Sequence, residues 1–180
     1  MPRTKNAPFQ RNRGRLRIIG GQWKRHTLHF NGGADLRPTP DAIREKLFNW
    51  LAPVIEGAYC LDLFCGSGAL GFEAASRGAA QVVLVDNNRQ CCEEINKNCV
   101  RLGAQQIRVH CEDALEWLAR SNQAFDIVFL DPPYNLSPIH FSEPTRPYAI
   151  SYADFCLKIK PISQTLLCQT RLLPRRTGFP

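Results

Sequence analysis

Between Tyr59 and Asp131 the chain alternates short apolar runs with stretches of helical rhythm, and this alternation predicts the architecture. Tyr59–Phe64, Gln81–Asp86, Ile107–Cys111 and Phe125–Asp131 read as strands. Ala69–Arg77, Arg89–Leu102 and Ala114–Ala119, lying between them, read as helices. A single helix between successive strands requires right-handed crossovers and parallel pairing, with both faces of the sheet covered. The expected fold is therefore α/β, a doubly wound, mostly parallel sheet.

Ahead of this core the rhythm differs. Leu16-Arg17-Ile18-Ile19 and Thr27-Leu28-His29-Phe30 are short β-like runs on either side of Gly20-Gly21, which predicts a hairpin or a pair of strands. Ile43, Leu47, Trp50 and Leu51 then fall on one helical face, with Thr39 as the expected cap and Pro40 as the first helical residue. Beyond Asn135 prolines interrupt every candidate element, and Tyr148 to Lys160 alone offers a moderate signal. Four parts are expected: a flexible basic arm over 1–15, a hairpin and helix over 16–52, an α/β core over 53–136, and an atypical C-terminal tail over 137–180.

Composition narrows the class. With 180 residues, 44% of them hydrophobic and 22% charged, the chain has the make-up of one globular domain. It contains no apolar run near the roughly 20 residues needed to span a bilayer, nor an apolar stretch after its first arginines. A cytoplasmic monomer is expected. The eight cysteines (Cys60, Cys65, Cys91, Cys92, Cys99, Cys111, Cys156 and Cys168) form no CxxC pair, so they read as small apolar side chains and no metal site is expected. Charge is segregated: residues 1–46 hold eleven basic and three acidic side chains, whereas 47–134 hold six basic and eleven acidic ones. A basic extension on an acidic body suits a phosphate-rich partner, though a solvated tail would show the same charge.

The chemistry concentrates in two loops. Leu61-Asp62-Leu63-Phe64-Cys65-Gly66-Ser67-Gly68-Ala69-Leu70-Gly71 runs from a strand through a GxGxxG turn into a helix, where backbone N–H groups are open to a nucleotide-type ligand. Asp86 ends the next strand, where an acid accepts hydrogen bonds from ribose hydroxyls. NAD and S-adenosylmethionine fit that arrangement equally. Asp62 separates them, because a carboxylate in the turn repels a pyrophosphate and attracts the cationic methionine end of the methyl donor. Asp113 suits either an adenine amino group or the cap of the following helix. The second loop is Asp131-Pro132-Pro133-Tyr134. Its two prolines remove two donors and leave a cluster of acceptors for an NH2 group, beside an aromatic face for a base.

The segment Asp62 to Gly71 together with Asp131-Pro132-Pro133-Tyr134 resembles the class I S-adenosylmethionine-dependent N-methyltransferases. More narrowly, Arg17-Ile18-Ile19-Gly20-Gly21, Leu36-Arg37-Pro38-Thr39-Pro40 and Arg44-Glu45-Lys46-Leu47-Phe48-Asn49 resemble the bacterial 16S ribosomal RNA guanine-N2 methyltransferases of the RsmD type, over roughly residues 15–136. The resemblance implies a Rossmann-like core and S-adenosylmethionine as cofactor. It implies that Asp62, Gly66 and Gly68 hold the methionine portion, Asp86 the ribose and Asp113 the adenine, that Phe64, Asn87 and Ala114 also bind the cofactor, and that Arg37 and Thr39 lie beside it. Asp131, Pro132 and Tyr134 would hold the target guanine, with Pro133 in the same catalytic loop, and the basic arm would grip the phosphates of 16S ribosomal RNA or the small ribosomal subunit.

Residues 137–180 depart from that family's pattern of helix, strand and closing hairpin. One reading is a reading frame altered after about Leu136, which resequencing of the coding DNA would check. Three rival functions follow from the same residues: an NAD-dependent oxidoreductase, an RNA-binding protein that has lost catalysis, and a methyltransferase for another planar NH2 group such as adenine N6 or glutamine.

Overall fold

The computed structural model describes residues 13–31, 39–131 and 166–169. Strands β1 (Arg13–Arg17) and β2 (Thr27–Asn31) form an antiparallel ribbon. Helix α1 (Asp41–Leu51) follows, then β3 (Tyr59–Asp62), α2 (Ala69–Ser76), β4 (Gln81–Asp86), α3 (Arg89–Leu102), β5 (Ile107–Cys111), α4 (Ala114–Arg120), β6 (Ile127–Leu130) and β7 (Leu166–Gln169). The last five strands make one sheet in the order β5-β4-β3-β6-β7, every neighbouring pair parallel. The doubly wound α/β fold expected from the sequence is the fold observed.

Alternate residues of each central strand serve opposite faces. Cys60, Val82, Leu84, Ile127 and Phe129 pack with the ribbon, α1 and α2 in one cluster. Leu61, Val83, Val85, Val128 and Leu130 pack with Ala114, Trp117 and Leu118 of α4 in another. Burial on both faces explains why these strands are apolar throughout.

Three expectations are corrected. β1 begins at Arg13, inside the stretch assigned to a flexible arm. The reason is Gly14, where a Cβ would stand 2.2 Å from the Phe30 ring, so only a bare backbone lets that ring close over the ribbon. Pro40 is the N-cap of α1, not its first residue, and no side chain caps this end. The buried stripe of α1 is Arg44, Leu47, Phe48 and Leu51, while Trp50 is 67% exposed. A fully buried arginine turns the helix from the phase that apolar positions alone predict, and it is tolerated because Glu73 of α2 receives it. Phe48 then meets Phe129 of β6, with ring centroids 5.8 Å apart, and lies under the Arg77 guanidinium.

Strand β7 lies beyond the region where the sequence offered a clear element; four residues carry too little periodicity to declare a strand. The rest of the atypical tail, including Tyr148 to Lys160 and the frame change considered after about Leu136, lies outside the described residues, as do the first twelve residues of the arm. Among the described residues no helix is long and apolar enough to cross a membrane.

Candidate active site

The chain leaves β3 in one direction to build β4 and β5, then returns to build β6 on its other side. Such a reversal opens a crevice at the carboxyl ends of the two strands, where open α/β sheets bind ligands. Asp62 ends β3 and Asp131 follows β6, so two of the predicted acids flank that crevice. Asp86 ends β4 next to Asp62, and Asp113 follows β5 one strand further out. The C-terminal edge of the sheet thus carries an acid at the end of each of four adjacent strands.

The glycine loop is clamped from both sides before it turns. Leu63 N–H donates to the Phe129 carbonyl of β6 at 3.3 Å, and Cys65 N–H to the Val85 carbonyl of β4 at 3.0 Å. The backbone then passes through Gly66 at φ +51° and Gly68 at φ +74°, left-handed conformations that glycine adopts without steric cost. Gly68 is the N-cap of α2 and offers no capping side chain; in the first turn of that helix the Gly71 N–H bonds to Asp62, which leaves the N–H groups of Ala69 and Leu70 for a ligand. Gly71 sits where α2 crosses β4: a Cβ there would stand 2.1 Å from Leu84 Cδ2. Its role is close helix-to-strand packing.

Asp86 accepts from Gly66 N–H through Oδ2 at 2.7 Å and from Asn88 N–H through Oδ1 at 2.8 Å. It therefore ties the glycine loop to the β4–α3 loop, and each carboxylate oxygen keeps a lone pair for another donor. Asn87 is exposed beside it, and Phe64 is half-buried against the α4 cluster. Asp113 caps α4, its Oδ1 accepting from Leu115 and Glu116 N–H at 2.9 and 3.1 Å, so the capping role weighed for it is the one observed. Ala114 is buried behind it. Thr39 is half-buried, and its carbonyl accepts from Arg44 Nε at 3.2 Å. Arg37, Pro132, Pro133 and Tyr134 lie outside the described residues.

Asp62 is 2% exposed, and its carboxyl is pushed up to about 8, first by burial and then by the charges of Asp131 and Asp86, against the opposing backbone N–H of Gly71. The described loop residues around it carry no lysine or arginine; Arg89, three residues after Asp86, is paired with Glu93. Carboxyls clustered in this way fit a positively charged ligand and repel a pyrophosphate. The residues present thus suit the ammonium, ribose and adenine groups of S-adenosylmethionine better than they suit NAD. Among the described residues no group of three or more His, Cys, Asp or Glu side chains is arranged to hold a metal ion. Cys60, Cys65, Cys91 and Cys92 are buried, and burial raises each thiol, Cys60 and Cys92 to about 12. A raised thiol is a poor nucleophile, in keeping with their reading as small apolar residues.

Sequence reasoning missed the frame behind the site. Glu73 of α2 is fully buried and accepts from Ile19 N–H at 2.9 Å, Gly20 N–H at 2.8 Å and Arg77 Nε at 2.9 Å. Arg44 lies 3.6 Å from it and also donates to the Arg17 carbonyl at 2.9 Å and to Asp41 at 2.7 Å. On α3, Asn98 closes two bonds with the backbone of His29, at 3.2 and 2.7 Å. These side chains fasten the ribbon and the segment before α1 to α2, which follows the glycine loop, and to α3. The signal available in the sequence was a lone acid, Glu73, in an otherwise small and apolar helix.

Residues 16–143 match the family described as Conserved hypothetical protein 95. The chain is 47% identical over 127 residues to Ribosomal RNA small subunit methyltransferase D of Escherichia coli K12, a match covering 71% of this chain and 64% of that protein's length. It is 40% identical over 129 residues to the protein of the same name from Haemophilus influenzae, covering 69% of this chain and 67% of that one. Among solved structures, that of yhhF from Escherichia coli superposes with a TM-score of 0.65 at 44% identity, covering 71% of this chain and 69% of that one.

Proposed function

The chain belongs to the Conserved hypothetical protein 95 family, and from that premise we propose that it transfers a methyl group from S-adenosylmethionine to the exocyclic N2 of a guanine in 16S ribosomal RNA. The observation that carries this reading is the buried Asp62 at the end of β3, with Asp86 at the end of β4 and Asp131 after β6, at the point where the strand order reverses. Relatives named as small-subunit ribosomal RNA methyltransferases support the class of substrate. Action on ribosomal RNA implies a cytoplasmic protein, and a monomer suffices for the chemistry.

Bound S-adenosylmethionine supplies an electrophilic methyl carried on a sulfonium. Asp62 balances the ammonium of its methionine end, with Phe64, Gly66 and Gly68 shaping the loop that lets it approach. Asp86 and Asn87 take the ribose hydroxyls. The free lone pairs of Asp113 and the backbone of Ala114 would take the adenine edge, and Thr39, with Arg37, would contact the cofactor. Asp131, with Pro132, Pro133 and Tyr134, grips the flat amino group of the base and turns its nitrogen lone pair toward the methyl. A neutral amine attacking a sulfonium disperses charge, so alignment in a dry, preorganised site contributes more than a strong base. Asp131 accepts the proton that the nitrogen sheds.

The test is methyl incorporation from labelled S-adenosylmethionine into ribosomal particles of cells lacking this protein, with the modified base mapped by mass spectrometry. Label on guanine N2 is the expected result. Label on adenine N6 or on a glutamine would move the reading to another planar amine, cofactor binding without transfer would leave an RNA-binding protein, and binding of NAD instead would end it.

A further inference from the structure

The outward face of the β1–β2 ribbon is charged in a way the site does not use. Leu16, Leu28 and Phe30 turn inward and are buried. Arg15 stands opposite His29 and Arg17 opposite Thr27, so both arginines project from the outer face, where they are exposed. Lys24 and Arg25, also exposed, lie in the turn that joins the strands, and residues 13–31 contain no acid at all.

These cations differ from those elsewhere. Arg44, Arg77, Arg89, Lys97 and Arg120 are paired with carboxylates, and Arg101 and Arg108 donate to backbone carbonyls. Among the described residues, Arg15, Arg17, Lys24 and Arg25 have no such partner, a condition that Lys46 of α1 shares. Arg25 is also the one described non-glycine residue with positive φ, at +72°. A bulky side chain there is strained, and glycine would relieve it. An arginine kept in a strained turn, exposed and unpaired, points to a ligand.

The ribbon is fastened to the helices of the core. Its backbone is held by Glu73, Ser76 and Asn98, and one guanidinium, that of Arg44, binds both the Arg17 carbonyl at 2.9 Å and the Thr39 carbonyl at 3.2 Å. Alternate residues on one face of a strand repeat about every 7 Å, comparable with the separation of successive phosphates along a nucleic-acid strand. We propose that Arg15 and Arg17, with Lys24 and Arg25 at the turn, form a fixed track for RNA phosphates on the outer face of the ribbon. The proposal rests on the reading that the chain acts on RNA. A membrane surface fits less well, because the ribbon's apolar side chains Leu16, Ile18, Trp23, Leu28 and Phe30 are all buried.

The experiment uses the full chain and a fluorescein-labelled hairpin of small-subunit ribosomal RNA, titrated across a range of salt. R15Q/R17Q is expected to weaken binding about tenfold and to lower the slope of log affinity against log salt by roughly 0.7 to 0.9 for each phosphate no longer neutralised. Affinity for S-adenosylmethionine should not change, and K46Q should leave the slope intact. R25G should melt at a higher temperature than the parent yet bind RNA less tightly, a combination that damage to the fold would not produce. An unchanged slope in R15Q/R17Q, or an equal loss in K46Q, overturns the track. Polyglutamate or phosphatidylserine vesicles displacing the RNA as well as unlabelled RNA does would overturn its assignment to nucleic acid. Ribbon-dependent binding without methyl transfer would leave the track standing and remove the proposed function; transfer to RNA by R15Q/R17Q at parental affinity would do the reverse.

Discussion

Glu73 and Arg44 face each other at 3.6 Å with both side chains wholly shielded from solvent, one on the helix that follows the glycine loop and the other on the helix that follows the ribbon. Removing one member of a buried pair strands the other, typically at about 3–5 kcal/mol. The two members are not equivalent. Without Arg44, Glu73 keeps Arg77 and the N–H groups of Ile19 and Gly20, whereas Glu73→Ala deprives all of these at once. Glu73→Ala is therefore expected to cost about 3–5 kcal/mol and Arg44→Met distinctly less. Urea unfolding of the two variants checks the order, and equal or reversed losses would contradict it.

Gly71 and Gly57 offer a contrast in what a methyl group costs. At Gly71 a Cβ would stand 2.1 Å from Leu84 Cδ2 in the core, while at Gly57, φ +74°, it would meet nothing within 4 Å. Overpacking a core costs about 1–3 kcal/mol, and left-handed strain alone about 1–2 kcal/mol. Gly71→Ala should shift α2, and with it the glycine loop, so it should lower both the melting temperature and cofactor affinity. Gly57→Ala should lower the melting temperature alone. Calorimetry paired with cofactor titration separates the two, and full cofactor affinity in Gly71→Ala would contradict the packing role.

How much of this was legible depended on the range of the interactions. Gln81–Asp86, Arg89–Leu102 and Ile107–Cys111 stand where the sequence put them, because apolar runs and helical periods are local signals. Asp62 was readable as an acid in the glycine turn and Asp86 as one at a strand end, since strand, turn and helix follow one another within a few residues. The phase of α1 was not readable: Arg44 looks like a surface residue until Glu73, on another element, is brought beside it. Nor were Ser76 and Asn98, whose partners on the ribbon are 53 and 69 residues away in sequence. Sequence patterns report which face is apolar, not which buried polar groups will find each other.

Asp62 makes the ligand-free protein sensitive to pH. An ordinary aspartate titrates near 4, but burial and its acidic neighbours push Asp62 up to about 8. Over that window the folded chain holds a proton that the unfolded chain has lost, so stability falls as pH rises. On the proposed function a cationic cofactor would replace the proton. Its binding should therefore release a proton at neutral pH and tighten between about pH 6 and about pH 8. Titration calorimetry in buffers of unlike ionisation enthalpy reads this directly; proton uptake would rule it out. Asp62→Asn should raise the melting temperature at about pH 8 while removing cofactor affinity.

Asp131 is expected to act on the base rather than on the cofactor. It follows β6 across the crevice from Asp62, and its charge is the largest influence on that carboxyl after burial. Losing an acid–base group at a reacting centre typically costs about 100- to 10,000-fold in rate, so Asp131→Ala should reduce methyl transfer to that degree or to nothing measurable. Cofactor affinity should not suffer. Removing Asp131 lowers the Asp62 carboxyl, which frees it to meet the cation at a lower pH, so affinity should hold or rise slightly near neutrality and its pH dependence should move toward acid. Asp131→Asn keeps an acceptor oxygen but cannot take the departing proton, so it should retain RNA and cofactor binding and still turn over slowly. Single-turnover rates and cofactor titrations across pH test the pair together: parental turnover in Asp131→Ala would remove Asp131 from the mechanism, and an unmoved pH profile would mean that its charge does not govern Asp62.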